Sequence, residues 1–525
     1  MDVAIPLHDR PEIYHRRWFL LGVLCLSLVM VVMAVSGLNV ALPSMQHALG
    51  ADATDLQWIV DSYAIVFAGL LLTAGAIGDR FGRKESLIGG LAVFALGSLV
   101  GAFADSASIV ILSRSISGIG AAFVMPATLS LLTAVFPPHE RGKAIAIWAG
   151  FAGAGGALGP LVVGFLLTGW WVFPSFWWGS AFVVNAVVSA AVIVAVALYL
   201  PRSKDETSTP LDPFGAALSL VGIGALLFGI IEGPERGWTD SWVFGSFVVA
   251  AVVLAVFAWW ELHTEHPMLP MQYFRDRRFS TGSGIITFGF MVMFGFFFLA
   301  TQYFQFVKGY SPLKAGVATL PFALTMIIVA PRSDALVQRL GLNKVVALGF
   351  SSIAAGFVVL ALIAPDTPYP VIVVALLLLA GGMGLTMPPA TGAIMSSVPL
   401  NKAGVGSAVN DTTRELGGAL GIAVLGSIVA SAYRSNVDVS ALPPEAADAA
   451  QESIGAALGV SRSLDPAAAA SLIDHAGVAF TDAVNVAMGV SAVISVIAGL
   501  VVLYAGRRTG APAPRAEEKV EAHVT

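Results

Sequence analysis

Long apolar runs recur along the whole chain, and polar residues are concentrated in the short segments between them. A helix that crosses the ~30 Å hydrocarbon core of a bilayer needs about 20 mainly apolar residues. Fourteen runs of roughly this kind lie at residues 18–40, 56–77, 86–104, 108–136, 144–167, 176–200, 214–232, 241–260, 279–306, 313–331, 345–364, 369–396, 405–433 and 482–505. The pattern therefore predicts an all-α membrane protein with fourteen transmembrane helices.

Two polar breaks divide the runs into groups of six, two and six, which predicts two six-helix halves with two helices inserted between them. The predicted segments are a tail at 1–17, a six-helix bundle at 18–200, a linker at 201–213, the inserted helices at 214–260, a linker at 261–278, a second six-helix bundle at 279–505 and a tail at 506–525. Within the second bundle, the polar outer segment 434–481 is compatible with a short helical hairpin and with a solvated loop.

An internal repeat supports the two halves. The fifth run contains Gly-Gly-Ala-Leu-Gly at 155–159, and the thirteenth contains the same pentapeptide at 417–421. The loop after the second run reads Arg-Phe-Gly at 80–82, and the loop after the tenth reads Arg-Leu-Gly at 339–341. Secondary transporters are commonly built from such repeats.

The distribution of basic residues predicts the orientation. With the N-terminus in the cytoplasm, most of the 28 Lys and Arg residues fall in cytoplasmic segments, as the positive-inside rule requires. Both termini are therefore predicted to be cytoplasmic. The protein is predicted to be a multi-pass protein of the cytoplasmic (inner) membrane.

Composition excludes several classes of function. Only 12% of the residues are charged and the mean hydropathy is +0.83, whereas soluble domains carry roughly a quarter charged residues. The net charge of −5 gives no reason to expect nucleic-acid binding. Cys25 is the single cysteine, which excludes a disulfide framework. Gly142 and Lys143 precede Ala144, so no phosphate-binding loop of an ATPase is present. We predict no enzyme activity, no cofactor and no metal.

The segment after the second run carries a family resemblance. Residues 75–84 read Gly-Ala-Ile-Gly-Asp-Arg-Phe-Gly-Arg-Lys, which resembles the signature loop of the major facilitator superfamily. The resemblance implies the major facilitator fold, and it implies a conformational role for Gly75, Gly78, Asp79, Arg80, Gly82, Arg83 and Lys84. We expect Asp79 to approach the positive start of the thirteenth helix, near Gly404, when the cytoplasmic side is closed.

The fifth run carries a second motif. It resembles the antiporter signature of the superfamily's drug/proton exporters at Gly155, Gly159, Pro160 and Gly164. Val163 stands where a further glycine is usual. Small residues interrupted by a proline allow a tight helix contact and a kink. The resemblance implies export driven by protons.

Further segments are similar to the fourteen-helix branch of that family. These are Asn39–Pro43 and Asn410–Gly421, and the segment that begins at Arg114 is similar to the family's buried-arginine motif. The segment Trp58–Tyr63 resembles, within that branch, the exporters of quaternary ammonium compounds. Many relatives carry an aspartate where this chain has Ala34, so a cation site on that carboxylate does not carry over.

Ionisable residues inside a span are costly and are functional candidates by default. Asp61 and Arg114 lie at similar depths, roughly 7–8 and 9 Å from the outer ends of their helices. They are predicted to form a coupling pair, with a purely structural ion pair as the alternative. In the thirteenth run, Asp411, Arg414 and Glu415 place two acids and one base on nearby faces. These three residues are predicted to form a site for a proton or a substrate, and the alternative is a local structural cluster. Asp411 is expected to face the central cavity.

The ninth run is rich in aromatic residues, which bind flat lipophilic or cationic ligands by burial and cation–π attraction. The predicted lining of a substrate cavity is Asn39, Phe290, Phe294 and Phe297. A lipid-facing position is the alternative for any single phenylalanine.

Three functions remain open. The first is a proton-coupled antiporter that exports small lipophilic compounds, neutral or cationic, by alternating access. The second is a dedicated exporter of one metabolite, such as an antibiotic, a siderophore or a lipid. The third is a membrane sensor without transport. The predicted partners are a small-molecule substrate, protons and the lipid bilayer, with no nucleic acid, and the chain is predicted to be monomeric.

Overall fold

The computed structural model describes residues 7–51, 53–168, 176–204, 210–440 and 442–507. Residues 1–6 and 508–525 of the predicted tails and residues 205–209 of the linker 201–213 therefore lie outside the described residues. Within the described part the chain is helical. The α-helices are α1 (Pro11–Leu49), α2 (Ala53–Phe81), α3 (Arg83–Ala102), α4 (Ala107–Val135), α5 (Pro138–Thr168), α6 (Ser180–Tyr199), α7 (Pro213–Arg236), α8 (Ser241–His263), α9 (Arg277–Gln302), α10 (Pro312–Ala318), α11 (Leu320–Leu340), α12 (Leu342–Leu360), α13 (Tyr369–Ser396), α14 (Ala403–Asn436), α15 (Pro444–Glu452), α16 (Ile454–Ser461) and α17 (Pro466–Arg507).

Fourteen helical spans of the described chain are long and apolar enough to cross a membrane, which confirms the predicted number. Helices α10 and α11 together form the tenth span, α14 is the thirteenth and α17 is the fourteenth. We call the end of the molecule that carries Arg80, Arg83 and Lys84 the basic face, and the other end the opposite face. The basic face is the side predicted to be cytoplasmic.

Helix starts at several connections are fixed by side-chain caps. Asp212, Asp240 and Asp276 immediately precede α7, α8 and α9, and each accepts a hydrogen bond from an amide of the first turn. These amides have no partner within their own helix, and a carboxylate also favours the positive end of the helix dipole. The polar residues between the apolar runs therefore define where the spans begin.

In the first half, α1 packs along α5 through two glycines of the repeated pentapeptide. Cβ atoms built on Gly155 and Gly159 would lie 3.1 and 2.6 Å from the carbonyl oxygens of Val29 and Met33. Only the absence of a side chain lets the two backbones approach this closely.

The second half repeats this contact between α9 and α14. Cβ atoms on Gly417 and Gly421 would overlap the carbonyl oxygens of Thr287 and Met291 in α9. The same pentapeptide thus makes the same helix contact in both halves, so the sequence repeat corresponds to a structural repeat.

The inserted helices form a hairpin against the interface of the two halves. α7 packs on α2 of the first half, on α14 of the second half and on α8. A Cβ on Gly69 of α2 would lie 2.8 Å from Leu220 of α7. α8 exposes a large apolar surface that includes Trp242, Phe244 and Trp259, as a helix facing lipid does.

The segment 434–481 contains helices at the opposite face. α15 and α16 pack on each other, α16 packs on α17, and Ala450, Ile454 and Ala457 are buried. The Tyr433 hydroxyl donates to the Ala450 carbonyl oxygen at 3.1 Å. Of the two alternatives for this segment, the helical one is formed. The alanine-rich residues from Pro466 onward extend α17, so this helix begins earlier than its apolar run.

Candidate functional site

The Asp79 carboxylate joins the two halves at the basic face. Its Oδ1 accepts a hydrogen bond from the Gly404 amide at 2.9 Å, and its Oδ2 accepts one from the Val405 amide at 3.2 Å. α14 begins at Ala403, so both amides belong to the first turn, where a helix leaves its N–H groups without internal partners. The contact predicted for Asp79 is therefore formed in this conformation.

Arg83 completes this contact. Its Nε donates to Asp79 Oδ1 at 2.9 Å, its Nη2 to the Leu400 carbonyl oxygen at 2.6 Å and its Nη1 to Ser203 Oγ at 3.1 Å. The Asp79 and Arg83 side chains are each 3% exposed. The pair thus connects the first half, the linker after α6 and the start of α14. We call Asp79, Arg83, Gly404 and Val405 the latch.

Two glycines give the latch its geometry. A Cβ on Gly75 would lie 2.5 Å from the Gly404 carbonyl oxygen, so α2 and α14 cross here at backbone contact. Gly82 separates α2 from α3 with a φ of 127°, a conformation that glycine adopts without a steric penalty. Larger residues at either position would displace Asp79 from α14.

The remaining motif residues lie around this turn. A Cβ on Gly78 would lie 3.2 Å from Ser86 Oγ. Lys84 Nζ donates to the carbonyl oxygen of Leu200 at 2.8 Å, and the Arg80 guanidinium lies over the neighbouring phenylalanine ring. The seven residues singled out in the sequence therefore occupy one turn at the basic face.

A second contact closes the same face on the other side of the interface. A Cβ on Gly142 of α5 would overlap Oδ1 of Asp334 in α11, so this carboxylate lies directly against the α5 backbone. Gly142 occupies in the first half the place that Gly404 occupies in the second. The two halves thus touch at the basic face on both sides, which is the closed arrangement of this face.

The antiporter motif of α5 contacts both halves. Gly155 and Gly159 lie against α1, as described above. A Cβ on Gly316 of α10 would lie 3.4 Å from Pro160, and a Cβ on Gly164 would lie 3.6 Å from Leu313. The motif therefore lies where α5 meets its own half and the second half.

Arg114 contacts the backbone and an aromatic ring of α2, and its predicted pairing with Asp61 stays a prediction. Arg114 is buried, donates from Nε to the Ile59 carbonyl oxygen at 3.1 Å, and lies 4.2 Å from the centre of the Tyr63 ring. Ile59 and Tyr63 are four residues apart and share a face of α2, whereas Asp61 is rotated by about 200° from Ile59. Arg114 therefore contacts the face of α2 that carries Ile59 and Tyr63.

Asp411, Arg414 and Glu415 do come together. Asp411 Oδ1 accepts a hydrogen bond from Asn410 Nδ2 at 3.2 Å and lies 3.9 Å from Arg414 Nη1. Arg414 Nη2 lies 3.4 Å from Glu415 Oε1. The Asp411 side chain is 0% exposed and that of Glu415 is 23% exposed. In this conformation Glu415 is therefore the more accessible of the two acids, and the expectation that Asp411 faces the central cavity stays a prediction.

Tyr63 connects the two charged groups. Its ring stacks under the Arg114 guanidinium, and its phenol interacts electrostatically with Arg414 and Glu415 of the second half. Arg414 also lies 4.0 Å from the sulfur of Met125 in α4. Side chains of α2, α4 and α14 thus form one polar cluster inside the membrane region, across the interface of the halves.

The predicted cavity residues are spread over different surroundings. Asn39 is exposed, and the three phenylalanines are half-buried. The Phe290 ring lies 5.6 Å from the Arg414 guanidinium, whereas Phe294 packs on Gly418 and Phe297 on Phe322. Among the three rings, Phe290 is therefore the one placed beside the charged cluster.

Sequence reasoning missed three contributors to this site. Tyr63 lies in a segment that had been read only as a family likeness, and Ser203 lies in a linker. Asp334 lies near the end of the tenth run and belongs to none of the motifs described above. The internal repeat contains a signal for its contact with Gly142. The repeat aligns Asp334 with Gly75 and Gly142 with Gly404, and Gly75 and Gly404 are in contact.

Duplicated halves that meet through a latch, with a charged cluster between them, define a secondary transporter. The chain belongs to the Major Facilitator Superfamily, whose family model matches residues 24–422. It is a transporter and not an enzyme, and it is a multi-pass protein of the cytoplasmic membrane.

Several curated proteins are similar over most of their length. The chain is 34% identical over 495 residues to the multidrug efflux pump LfrA of Mycolicibacterium smegmatis, covering 94% of this chain and 97% of the relative. It is 32% identical to the methyl viologen resistance protein SmvA of Salmonella typhimurium, covering 90% and 95%. It is 31% identical to the tetracenomycin C resistance and export protein of Streptomyces glaucescens, covering 78% and 76%.

Solved structures show the same fold at low identity. The proton:xylose symporter XylE matches with a TM-score of 0.60 at 13% identity, covering 94% of this chain and 96% of that structure. The human organic anion transporter MFSD10 matches with a TM-score of 0.58 at 13% identity, covering 94% and 100%.

Proposed function

We propose that the chain is a proton-coupled antiporter that exports small lipophilic compounds, cations among them, across the cytoplasmic membrane by alternating access. The observation that carries this proposal is the surplus acid on α14. Arg414 lies between Asp411 and Glu415 and can neutralise only one of them. Relatives named for multidrug efflux and methyl viologen resistance support the substrate class.

Asp411 is the proposed proton carrier. Its Oδ2 is buried and has no hydrogen-bond partner within the described part of the chain. A buried charged oxygen without a partner is costly, and a proton removes the charge. In the closed state of the basic face Asp411 is then neutral, while Glu415 pairs with Arg414 and remains accessible.

The same helix links this acid to the latch. Gly404 and Val405 hold Asp79 at the start of α14, and Asp411 follows two turns later, about 10 Å along the axis. A change of charge at Asp411 acts on a rigid helix whose end is the latch. Proton release and reopening of the basic face are thereby coupled.

A dedicated exporter of one compound is the second candidate. It is favoured by relatives named for a single antibiotic, such as the tetracenomycin C resistance and export protein. Both candidates use the same acid and the same latch, and they differ in the range of compounds transported.

The proposal is tested in everted membrane vesicles that contain the full chain. After a pH gradient is established, addition of methyl viologen or of a neutral lipophile should discharge the gradient through the wild type. Asp411→Asn should abolish this discharge. Glu232→Gln is the matched control, because Glu232 is also a buried acid with an arginine partner but lies on α7. Discharge by Asp411→Asn at the wild-type rate, with equal protein in the membrane, contradicts the proton role. Discharge by one compound class alone favours the dedicated exporter.

A further inference from the structure

A second pair of acids lies outside the central cluster, at the base of the inserted hairpin. Asp212 immediately precedes α7, and Glu261 lies near the end of α8, both on the basic face. Asp212 is 9% and Glu261 3% exposed. Neither residue belongs to the latch or to the charged cluster of α14.

Three of the four carboxylate oxygens have hydrogen-bond donors. Asp212 Oδ1 accepts from the Gly215 amide at 2.8 Å, and its Oδ2 accepts from Trp260 Nε1 at 2.7 Å. Glu261 Oε2 accepts from the Leu269 amide at 2.9 Å. The fourth oxygen, Glu261 Oε1, is buried and has no partner within the described residues.

The unpartnered oxygen lies near the other carboxylate. A Cβ on Gly215 would overlap Asp212 Oδ2 and lie 2.8 Å from Glu261 Oε1, so both oxygens border the same small space. Around Glu261, α7 contributes Asp212, and the segment after α8 contributes the Met268 and Leu269 amides. The neighbouring titratable residues His263, Glu265 and His266 are exposed.

We propose that Glu261 and Asp212 share one proton, carried on Glu261 Oε1 and donated to Asp212 Oδ2, and that this proton holds the basic face closed. With it, all four oxygens have a hydrogen-bond partner, and a buried pair of like charges is avoided. Without it, two adjacent buried carboxylates repel each other and the Glu261 contact to Leu269 weakens.

The segment that Glu261 holds lies beside the latch. Met268 and Leu269 are buried in the core of the second half. Tyr273, in the short 3-10 helix Met271–Arg275, interacts electrostatically with Asp79. Burial and Asp79 raise the pKa of Tyr273, so its phenol stays neutral beside the latch. Loss of the proton therefore loosens the segment beside Asp79, which makes the pair a proton-binding site that controls closure from the basic face.

The first test is spectroscopic. Infrared difference spectra of the purified full chain in lipid nanodiscs, taken between mildly acidic and mildly alkaline pH, should show loss of a protonated carboxylic acid band. Glu261→Gln should lack one such band, because glutamine keeps the acceptor for Leu269 but carries no titrating proton. Glu265→Gln, which neutralises an exposed acid of the same linker, should retain it. An unchanged carboxylic acid signal in Glu261→Gln overturns the proposal.

The second test measures closure. Ser407 is fully buried on α14 near the latch, so a Ser407→Cys reporter in a Cys25→Ser background reports opening through its labelling rate. Rates are normalised to unfolded protein at each pH. Alkalinisation should raise labelling by about tenfold, as expected for a coupling of one pKa unit, in the reporter protein and in Glu265→Gln. All of these proteins carry Asp411→Asn, which removes the proton release proposed to reopen the basic face, so the remaining pH dependence belongs to the Glu261–Asp212 pair. In this background Glu261→Gln should stay at the acidic rate at every pH.

A further variant covers the case in which Glu261→Gln does not fold. Gly215→Ala inserts a methyl group between the two carboxyl groups and should raise labelling already at acidic pH. A pH-independent rate in the reporter protein, or the same pH dependence in Glu261→Gln, overturns the proposal. These measurements use neither a substrate nor a proton gradient. A negative result here therefore leaves the transport proposal intact, and a negative result in the vesicle assay leaves the proposal for Glu261 and Asp212 intact.

Discussion

Replacement of Asp79 by asparagine gives the most direct test of the latch. Asp79→Asn keeps the side-chain volume but removes the charge and one of the two acceptor oxygens. In the closed state those oxygens accept hydrogen bonds from the amides of Gly404 and Val405. Arg83 follows four residues later across the turn, so its pairing with Asp79 is available in the open state as well. The change therefore acts mainly on the contact with α14.

The expected loss follows from this geometry. A hydrogen bond to a charged group contributes about 1.5–3 kcal/mol, and a charge at a helix start about 0.3–2 kcal/mol. One lost acceptor and the lost charge together destabilise the closed basic face by about 2 kcal/mol. Because 1.4 kcal/mol is a factor of ten in an equilibrium, the closed population should fall more than tenfold relative to the open one.

The assay is thiol labelling of the Ser407→Cys reporter from the basic face. Asp79→Asn should speed labelling by more than tenfold. The matched control is Glu85→Gln, because Glu85 is a partly exposed acid of the same turn that pairs with Arg202 at 3.1 Å. Equal labelling rates in Asp79→Asn and Glu85→Gln, at equal protein levels, would refute the assignment of Asp79 as the residue that holds this face closed.

Two further substitutions test other contacts. Arg114→Lys should lower transport even when the protein is present in the membrane at the wild-type level. Lysine lacks the planar group that stacks on Tyr63 and the Nε that donates to the Ile59 carbonyl oxygen. Efflux equal to that of the wild type would contradict a role for this contact. Gly421→Ala should destabilise the protein by about 1–3 kcal/mol, because its Cβ would overlap the Met291 carbonyl oxygen. Thermal unfolding in detergent measures this, and Gly489→Ala, whose Cβ would meet nothing within 4 Å, should leave stability unchanged.

The sequence predicted those features that depend on run length and on repetition. Fourteen apolar runs gave fourteen spans, because the bilayer thickness sets the length of each helix. Asp79 was expected at the start of α14, because the loop motif and the repeat placed an acid and a free helix end at the same face. α17 was the exception, since the alanine-rich residues from Pro466 favour helix without being apolar enough to join the run.

Side-chain direction inside the membrane region was not predictable from depth. Arg114 contacts Ile59 and Tyr63 of α2, and Asp61 lies about 200° around that helix from Ile59. Asp411 and Glu415 differ by only about 40° around α14, yet one is fully buried and the other is accessible. Such differences depend on which neighbouring helix lies at each angle. That is set by tertiary packing and is absent from the local pattern.

The position of α7 has a consequence for molecules dissolved in the bilayer. The halves meet along two seams, one between α2 and α14 and one between α5 and α11. The hairpin of α7 and α8 lies over the first seam, and in the described part of the chain no helix from outside the two halves packs over the second. The transporter thus has one shielded flank and one bare flank toward the lipid. A lipophilic compound that partitions into the membrane would reach the space between the halves sideways, through the bare flank.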